Sequence, residues 1–207
     1  KLAHNTSGGP TLANYDFFGS SVASLGDLDG DGIADLAVGA AGDDTGGSGR
    51  GAVHVLLMNA DGTVKTKSKI ASGNGGGPTL VNSDLFGISV TALGDLDGDG
   101  VTDLAVGAIG DDTGGSSRGA VYVLFMNANG TVKSTTKIAS GTGGGPTLAN
   151  DDSFGSSVAS LSDLDGDGVS DIAVGATGDA TGGTNRGAVH ILLMNANGTV
   201  KRSQKIA

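Results

Sequence analysis

Four aspartates fall within nine residues at Asp27, Asp29, Asp31 and Asp35, and the same spacing returns at Asp95, Asp97, Asp99 and Asp103 and at Asp163, Asp165, Asp167 and Asp171, 68 residues further on each time. Carboxylates crowded in this way repel one another, so a compact loop carrying them needs a cation in its midst. The cation that suits such a loop is Ca²⁺, a hard ion that takes about six to eight oxygen ligands in flexible geometry, with alternate aspartates at loop positions one, three and five aimed at a common centre. Position seven would add a main-chain carbonyl, from Ile33, Val101 or Val169, and the position-nine carboxylates of Asp35, Asp103 and Asp171 would close the cage. Gly32, Gly100 and Gly168 stand at position six, where a sharp turn favours a residue without Cβ. One Ca²⁺ per repeat, three in total, is the expectation. A lone aspartate-rich turn would be read as a solvated surface loop, but three in register would not.

The loop begins like an EF-hand and does not end like one. The bidentate Glu of position twelve is replaced by Val38, Val106 and Val174. Its flanks, Ser21 to Leu25 before and Asp35 to Gly39 after, alternate small or polar with apolar residues, which is the period of strands. The sequence therefore predicts a cation loop inside a β-hairpin.

Each unit repeats this plan. In the first, a Gly-rich segment leads to Phe18-Gly19 and a strand near Ser20 to Leu25, then the acidic loop, a strand over Leu36 to Ala40, a polar loop from Gly42 to Gly49, a third strand over Gly51 to Met58 and a fourth over Val64 to Ile70. Asn59-Ala-Asp-Gly62, Asn127-Ala-Asn-Gly130 and Asn195-Ala-Asn-Gly198 predict tight hairpin turns with positive φ at both central residues. The fold class expected is all-β: three tandem four-stranded antiparallel blades, at 1–68, 69–136 and 137–207, the last including the start of a further unit. Three blades do not close a ring, so closure needs further blades, or the units stack as an open array.

The repeats resemble FG-GAP repeats, the blades of the integrin α-subunit β-propeller, along the whole chain. Phe18-Gly19, Phe86-Gly87 and Phe154-Gly155 match the first half of that motif, and Val38-Gly39-Ala40, Val106-Gly107-Ala108 and Val174-Gly175-Ala176 match most of the second. The motif's Pro is replaced by Ala41, Ile109 and Thr177. The resemblance implies that the family's calcium loop carries over to the three aspartate cages. The three phenylalanines are expected to anchor packing between sheets.

The formal charge of −10 would invite a basic partner, but 12 of the 22 acidic residues, all of them Asp, lie in the three loops, and the other 10 face 12 Lys and Arg. Outside the loops the balance is thus +2, and three bound Ca²⁺ would bring the chain to −4. No basic patch for nucleic acid appears. Cysteine is absent while Gly numbers 40 and aromatics are 3%, so cations rather than disulfides must staple thin units. Weak extracellular-type calcium sites, with Kd of about 10⁻⁴ to 10⁻³ M, fill only where calcium is millimolar, so the protein is expected outside the cell or on its surface. No leader and no membrane-inserting run is visible, as expected of a mature or excised segment.

Other signals are weaker. Asp43, Asp111 and Asp179 are each followed by Arg50, Arg118 or Arg186. An ion pair within that loop is expected, with contact between the Arg and a neighbouring repeat as the alternative. Lys65, Lys67 and Lys69 alternate on the fourth strand, as edge-guarding charges do. Asn5, Asn129 and Asn197 fit the glycan acceptor pattern, with plain turn chemistry preferred. His54 and His190 correspond to Tyr122, which argues against a ligand or general base there, and no nucleophile, base and orienter recur together. The chain is therefore expected not to be an enzyme. The first functional expectation is a calcium-stabilised extracellular scaffold or adhesin, part of a fibre-forming surface protein, whose partners are neighbouring repeats or copies of itself. The alternatives are an integrin-like propeller binding a protein or glycan on its loop face, and a targeting appendage of a secreted enzyme.

Overall fold

A computed structural model describes Leu2 and residues 4–207. Among these, twelve strands and no helix occur, and so no helix long and apolar enough to cross a membrane. The strands are β1 (Phe18–Gly26), β2 (Asp35–Ala40), β3 (Ala52–Met58), β4 (Val64–Ala71), β5 (Ser89–Gly94), β6 (Asp103–Ala108), β7 (Ala120–Met126), β8 (Val132–Ala139), β9 (Phe154–Ser162), β10 (Asp171–Ala176), β11 (Ala188–Met194) and β12 (Val200–Ile206). They form three separate antiparallel meanders, β1–β4, β5–β8 and β9–β12, each with its strands in sequence order. The strands expected from alternation are thus present within a residue or two at each end.

Alternation along the strands also assigns each face. In the middle sheet, Leu104, Val106, Tyr122 and Leu124 join a core with Val53, Val55 and Leu57 of the first sheet, while Ala105, Val121, Val123 and Phe125 join a second core with Ile172, Val174 and Leu192 of the third. In the sheet covered on both faces, β7 reads Ala-Val-Tyr-Val-Leu-Phe-Met and is buried at every position; β3 is too, because Leu56 and Met58 on the first sheet's other face join a small cluster with Val38 and Phe18. The matching β11 of the last sheet, covered on one face, is buried only at alternate residues. Phe86 and Phe154 are fully buried in these two cores, as inter-sheet anchors should be, and Phe18, which meets no preceding sheet among the described residues, is half-buried.

Two glycines make each join possible. A Cβ built on Gly39 would collide with the Gly87 carbonyl, and one on Gly87 would collide with the Ala52 carbonyl. Gly107 and Gly155 stand in the same relation one unit on. A short parallel ladder seals each seam: the amides of Ser83, Leu85 and Phe86 donate to the carbonyls of Ser48, Gly49 and Arg50 at 2.9, 3.1 and 3.0 Å. Asp151, Ser153 and Phe154 repeat it on Ser116, Ser117 and Arg118.

Two expectations need correction. The β3–β4 turn is longer than a two-residue hairpin: the Asn59 amide donates to the Thr63 carbonyl at 2.8 Å and the Gly62 amide to the Asn59 carbonyl at 2.9 Å. Of its central residues only Gly62 has positive φ, so Asp61 stays in ordinary space and the extra residue appears as a bulge after Leu57. Arg50 does not pair with Asp43. Its Nε donates to Asn82 Oδ1 at 3.1 Å in the next unit, the alternative stated above, because Asp43 is already taken by Lys69. The lysines of β4 lie on an edge strand, and they also make contacts there: Lys67 donates to the carbonyls of Gly8 and Gly9 at 3.0 and 2.6 Å, and Lys65 and Lys69 make ion pairs. Asn129 and Asn197 are exposed, and their Oδ1 atoms accept from the Thr131 and Thr199 hydroxyls at 2.7 and 2.6 Å, which is turn chemistry.

Candidate metal centre

Each acidic loop joins the first two strands of its sheet, which lie antiparallel, so the loops sit inside hairpins at matching places in all three sheets. Asp27 organises its loop from within. Its Oδ1 accepts the amides of Gly30 and Asp31 at 2.8 and 2.9 Å, and its Oδ2 accepts that of Gly32 at 2.8 Å. Gly30 and Gly32 take φ of 82° and 86°, where a side chain would be strained. Asp95 and Asp163 make the same bonds in their loops.

Asp35 anchors the other end. Fully buried, it accepts the Leu28 amide on Oδ2 and the Met58 amide on Oδ1, both at 2.9 Å, and thereby ties the loop to β3. Asp103 and Asp171 repeat this brace with Leu96 and Met126, and with Leu164 and Met194. Burial pushes the Asp103 carboxyl up to about 6, against the lowering effect of its two amide donors. A nearby cation would favour the ionised form.

The carboxylate oxygens converge in every loop. One oxygen from each of Asp27, Asp29 and Asp35, of Asp95, Asp97 and Asp99, and of Asp163, Asp165 and Asp171 lies within 4.8 Å of the others in its trio. The third member is thus the position-nine carboxylate in the first and last repeats and the position-five carboxylate in the middle one. Ile33, Val101 and Val169 sit beside them, each donating its amide to the preceding position-five Asp, while their side chains pack on the cores.

Sequence spacing did not reveal a lysine at each cage. Lys65 Nζ lies 2.7 Å from Asp29 and 2.5 Å from Asp31, and Lys133 and Lys201 hold the corresponding pairs Asp97 with Asp99 and Asp165 with Asp167. Hydrogen bonds from these lysines, and then the amides of Ile33, Val101 and Val169, lower the carboxyls of Asp31, Asp99 and Asp167. Bonds to the carboxylates raise the lysines in turn. An ammonium thus already stands where positive charge is wanted. The donors are all oxygen, and this hard, multiply charged set fits Ca²⁺ or Mg²⁺ better than a soft transition metal.

A second polar cluster fills the opposite end of each sheet. Lys137 pairs with Asp111 at 2.5 Å, and Tyr122 donates to Asp111 Oδ2 at 2.9 Å. Lys69 with Asp43 and Lys205 with Asp179 match it, with His54 and His190 in place of the tyrosine. Both histidines are buried against the edge of a phenylalanine, Phe18 or Phe154, at 5.5 Å between ring centres. Burial, then Lys69, lowers His54 to about 4, so it is a neutral core residue. A third set carries a plain sequence signal of its own: Asp16, Asp84 and Asp152 each precede the Phe-Gly pair by two residues and accept the amide three residues back, at 2.7 to 2.8 Å.

Four-stranded meanders stacked face to face, each with an acidic hairpin loop between its first two strands, define a protein of β-propeller-blade repeats. The FG-GAP repeat model matches at residues 18–56, 86–124 and 154–192, more than half of the sequence, and the chain belongs to that family. It is similar to integrin alpha-4 of Xenopus laevis, 34% identical over 173 residues that cover 82% of this chain and 15% of that protein. Integrin alpha-PS2 of Drosophila melanogaster is 33% identical over 168 residues, covering 78% and 11%. Integrin alpha-5 of Xenopus laevis is 43% identical over 103 residues, covering 49% and 9%. The chain therefore spans a small part of the length of these relatives.

Proposed function

We propose that the chain is a non-catalytic, cation-stabilised adhesion scaffold of integrin α type, working outside the cell or on its surface, with one Ca²⁺ in each of three repeats. The observation that carries this reading is the convergence of three carboxylates in every hairpin loop, in matching places, in a chain of the FG-GAP family that is similar to integrin alpha subunits. The ligands we assign are those of the three nine-residue loops, from Asp27 to Asp35, Asp95 to Asp103 and Asp163 to Asp171, including the carbonyls of Ile33, Val101 and Val169. The repeat units we assign are 1–68, 69–136 and 137–207. The buried braces Asp35, Asp103 and Asp171 link each loop to the third strand of its sheet, so a filled loop would stiffen the whole blade. The loops would then present a rigid face to a protein or glycan.

Titration calorimetry with Ca²⁺ and with Mg²⁺, paired with melts in chelator, tests this. Ligand that binds only the folded state at about a hundred times its Kd adds about 2.7 kcal/mol per site. For a chain of this size that is about 5–10 °C per site. No heat on titration and the same melting temperature with and without chelator would end the cation reading.

A further inference from the structure

The polar cluster at the end of the middle sheet away from its acidic loop holds an amine and a carboxyl in contact and largely out of water. Lys137 Nζ lies 2.5 Å from Asp111 Oδ2, and the Asp111 side chain is 4% exposed. Lys133, by contrast, meets Asp97 and Asp99 where both carboxylates are open to solvent. The two oxygens of Asp111 are held separately: Oδ1 accepts the Thr113 amide at 2.9 Å, and Oδ2 accepts the Tyr122 hydroxyl at 2.9 Å. Nζ also donates to the Thr113 hydroxyl and lies 5.4 Å from the centre of the Tyr122 ring.

A second acid stands beside this pair with one oxygen free. Asp84 is 1% exposed; its Oδ2 accepts the Val81 amide at 2.8 Å, but its Oδ1 is buried with no partner. Asp84, Asp111 and Lys137 border one pocket of about 210 Å³. Burial, with the Asp111 charge acting in the same direction, pushes the Asp84 carboxyl up to about 6 against the pull of the Val81 amide. A buried polar atom left unpaired in a folded protein calls for a reason, and proton transfer is one. The backbone around Asp84 is strained as well, since Ser83 and Leu85 on either side of it take φ of 69° and 56°.

The other repeats carry the pair without the rest of the set. Lys69 meets Asp43 and Lys205 meets Asp179, but His54 and His190 replace the phenol, and each leaves Nε2 buried without a partner. Asp16 and Asp152 keep the place of Asp84, yet neither has a buried oxygen left unpaired among the described residues.

We propose that Lys137 and Asp111 join as an amide, a self-formed cross-link that ties the edge strand β8 to the loop between β6 and β7. An ammonium proton first passes to Oδ2, which leaves a neutral amine and a neutral acid. The Nζ lone pair then attacks Cγ, and the carbonyl electron pair moves onto Oδ1, where the Thr113 amide holds it. The Asp84 carboxylate takes the proton that Nζ now sheds and hands it to the Oδ2 hydroxyl as the Cγ–Oδ2 bond breaks, with the Tyr122 hydroxyl steadying the departing oxygen. The electron pair on Oδ1 re-forms the carbonyl and one water leaves. An amine and a carboxylic acid have become an amide and water, and nothing is oxidised or reduced.

Two groups fixed in contact react as if at about 10⁵–10⁸ M, and burial favours their neutral forms. Burial opposes charge on Asp111, but its bonds from Lys137 and Thr113 outweigh this and hold the carboxyl below its ordinary range, so the first proton transfer is uphill and the reaction slow. In a chain without cysteine the amide supplies the covalent brace that a disulfide gives elsewhere. It lies away from the acidic loops, and its readout, covalent mass, is separate from calorimetry and melts.

Mass spectrometry of the denatured 207-residue chain, folded and held for days at neutral pH, should read one water below the sequence mass. Proteolysis should then give one branched peptide joining the segments around Asp111 and Lys137. The branch is decisive, because a succinimide at Asp61-Gly62 would also lose water while leaving every peptide linear. Lys137→Arg, which keeps a cation opposite Asp111, should read its full mass. Asp84→Asn, which keeps the shape of the side chain, should slow the link by about 10²- to 10⁴-fold and be recovered unlinked while its circular dichroism matches the parent. A parent at full sequence mass, a water loss with only linear peptides, or a link that forms as completely in Asp84→Asn as in the parent would each overturn the inference.

Discussion

Replacing His54 with Tyr transfers the second repeat's own solution into the first, and its effect is computable. Tyr122 donates to Asp111 at 2.9 Å beneath Lys137, whereas His54 leaves Nε2 buried without a partner. Burial, then Lys69, holds His54 at about 4, against 6.5 for a free imidazole. A folded state that takes up a proton less readily than the unfolded one loses stability as pH falls from 6.5 towards 4, and is unaffected above 6.5. At 1.36 kcal/mol per pKa unit the loss reaches about 3 kcal/mol at pH 4. Tyrosine removes that loss, because burial, then Asp111, pushes the phenol up and keeps it a neutral donor. A hydrogen bond to a charged acceptor, with the orphaned nitrogen gone, should add about 1–2 kcal/mol at every pH. Melts of His54→Tyr and parent, both in chelator so that cation binding does not contribute, should differ by about 2–8 °C at pH 7.5 and by about 6–12 °C more near pH 4. A difference that fails to widen on acidification would refute the assignment of His54 as a buried neutral base. His190, lowered chiefly by burial, leaves both proteins with some acid sensitivity.

Truncating Phe86, fully buried between the first two sheets, should cost about 3–5 kcal/mol in denaturant unfolding, and Phe18→Ala, at a half-buried position, should cost less. Gly39→Ala, which drives a methyl into the Gly87 carbonyl, should cost about 1–3 kcal/mol, while Gly175→Ala, which meets only two rotatable hydroxyls, should be close to neutral. The difference between those two glycines, read from chemical melts, tests the join itself. Lys133→Met should tighten Ca²⁺ binding at the middle loop severalfold in calorimetry, since the ammonium bridging Asp97 and Asp99 competes for the same oxygens.

What the sequence made legible followed from local periodicity. Period-two alternation placed the strands, and aspartates two residues apart placed the cages, because both patterns act over a few neighbouring residues. What it hid depends on partners brought together by sheet register. Lys65 reaches Asp31 across 34 residues, and no local spacing announces that β4 would fold back over the loop. Proximity in sequence pairs Arg50 with Asp43, but antiparallel pairing sets His54 opposite Lys69, which brings that lysine within reach of Asp43 and frees the arginine to cross to Asn82. The turn after β3 departs from local signals for a related reason: Asx-Gly reads as a two-residue hairpin until the bulge at Met58 lengthens it.

The placement of the glycines changes what the family motif describes. Phe86-Gly87 belongs to one sheet and Val38-Gly39-Ala40 to the sheet before it, yet Gly87 lies against Ala40 and Ala52, and its carbonyl occupies the space that a Cβ on Gly39 would need. The two halves of the motif therefore meet across a seam between repeats rather than within one. Only glycine at both places lets the backbones approach so closely, and the serine hydroxyls of the earlier sheet then satisfy the carbonyl that this approach buries. A repeat of this kind carries half of each of two joins, so its motif can be complete in sequence while its packing is complete only between neighbours. Phe18 and Gly19, whose motif is intact but which meet no preceding sheet among the described residues, show the consequence directly: the ring stays half-exposed and the glycine faces open space.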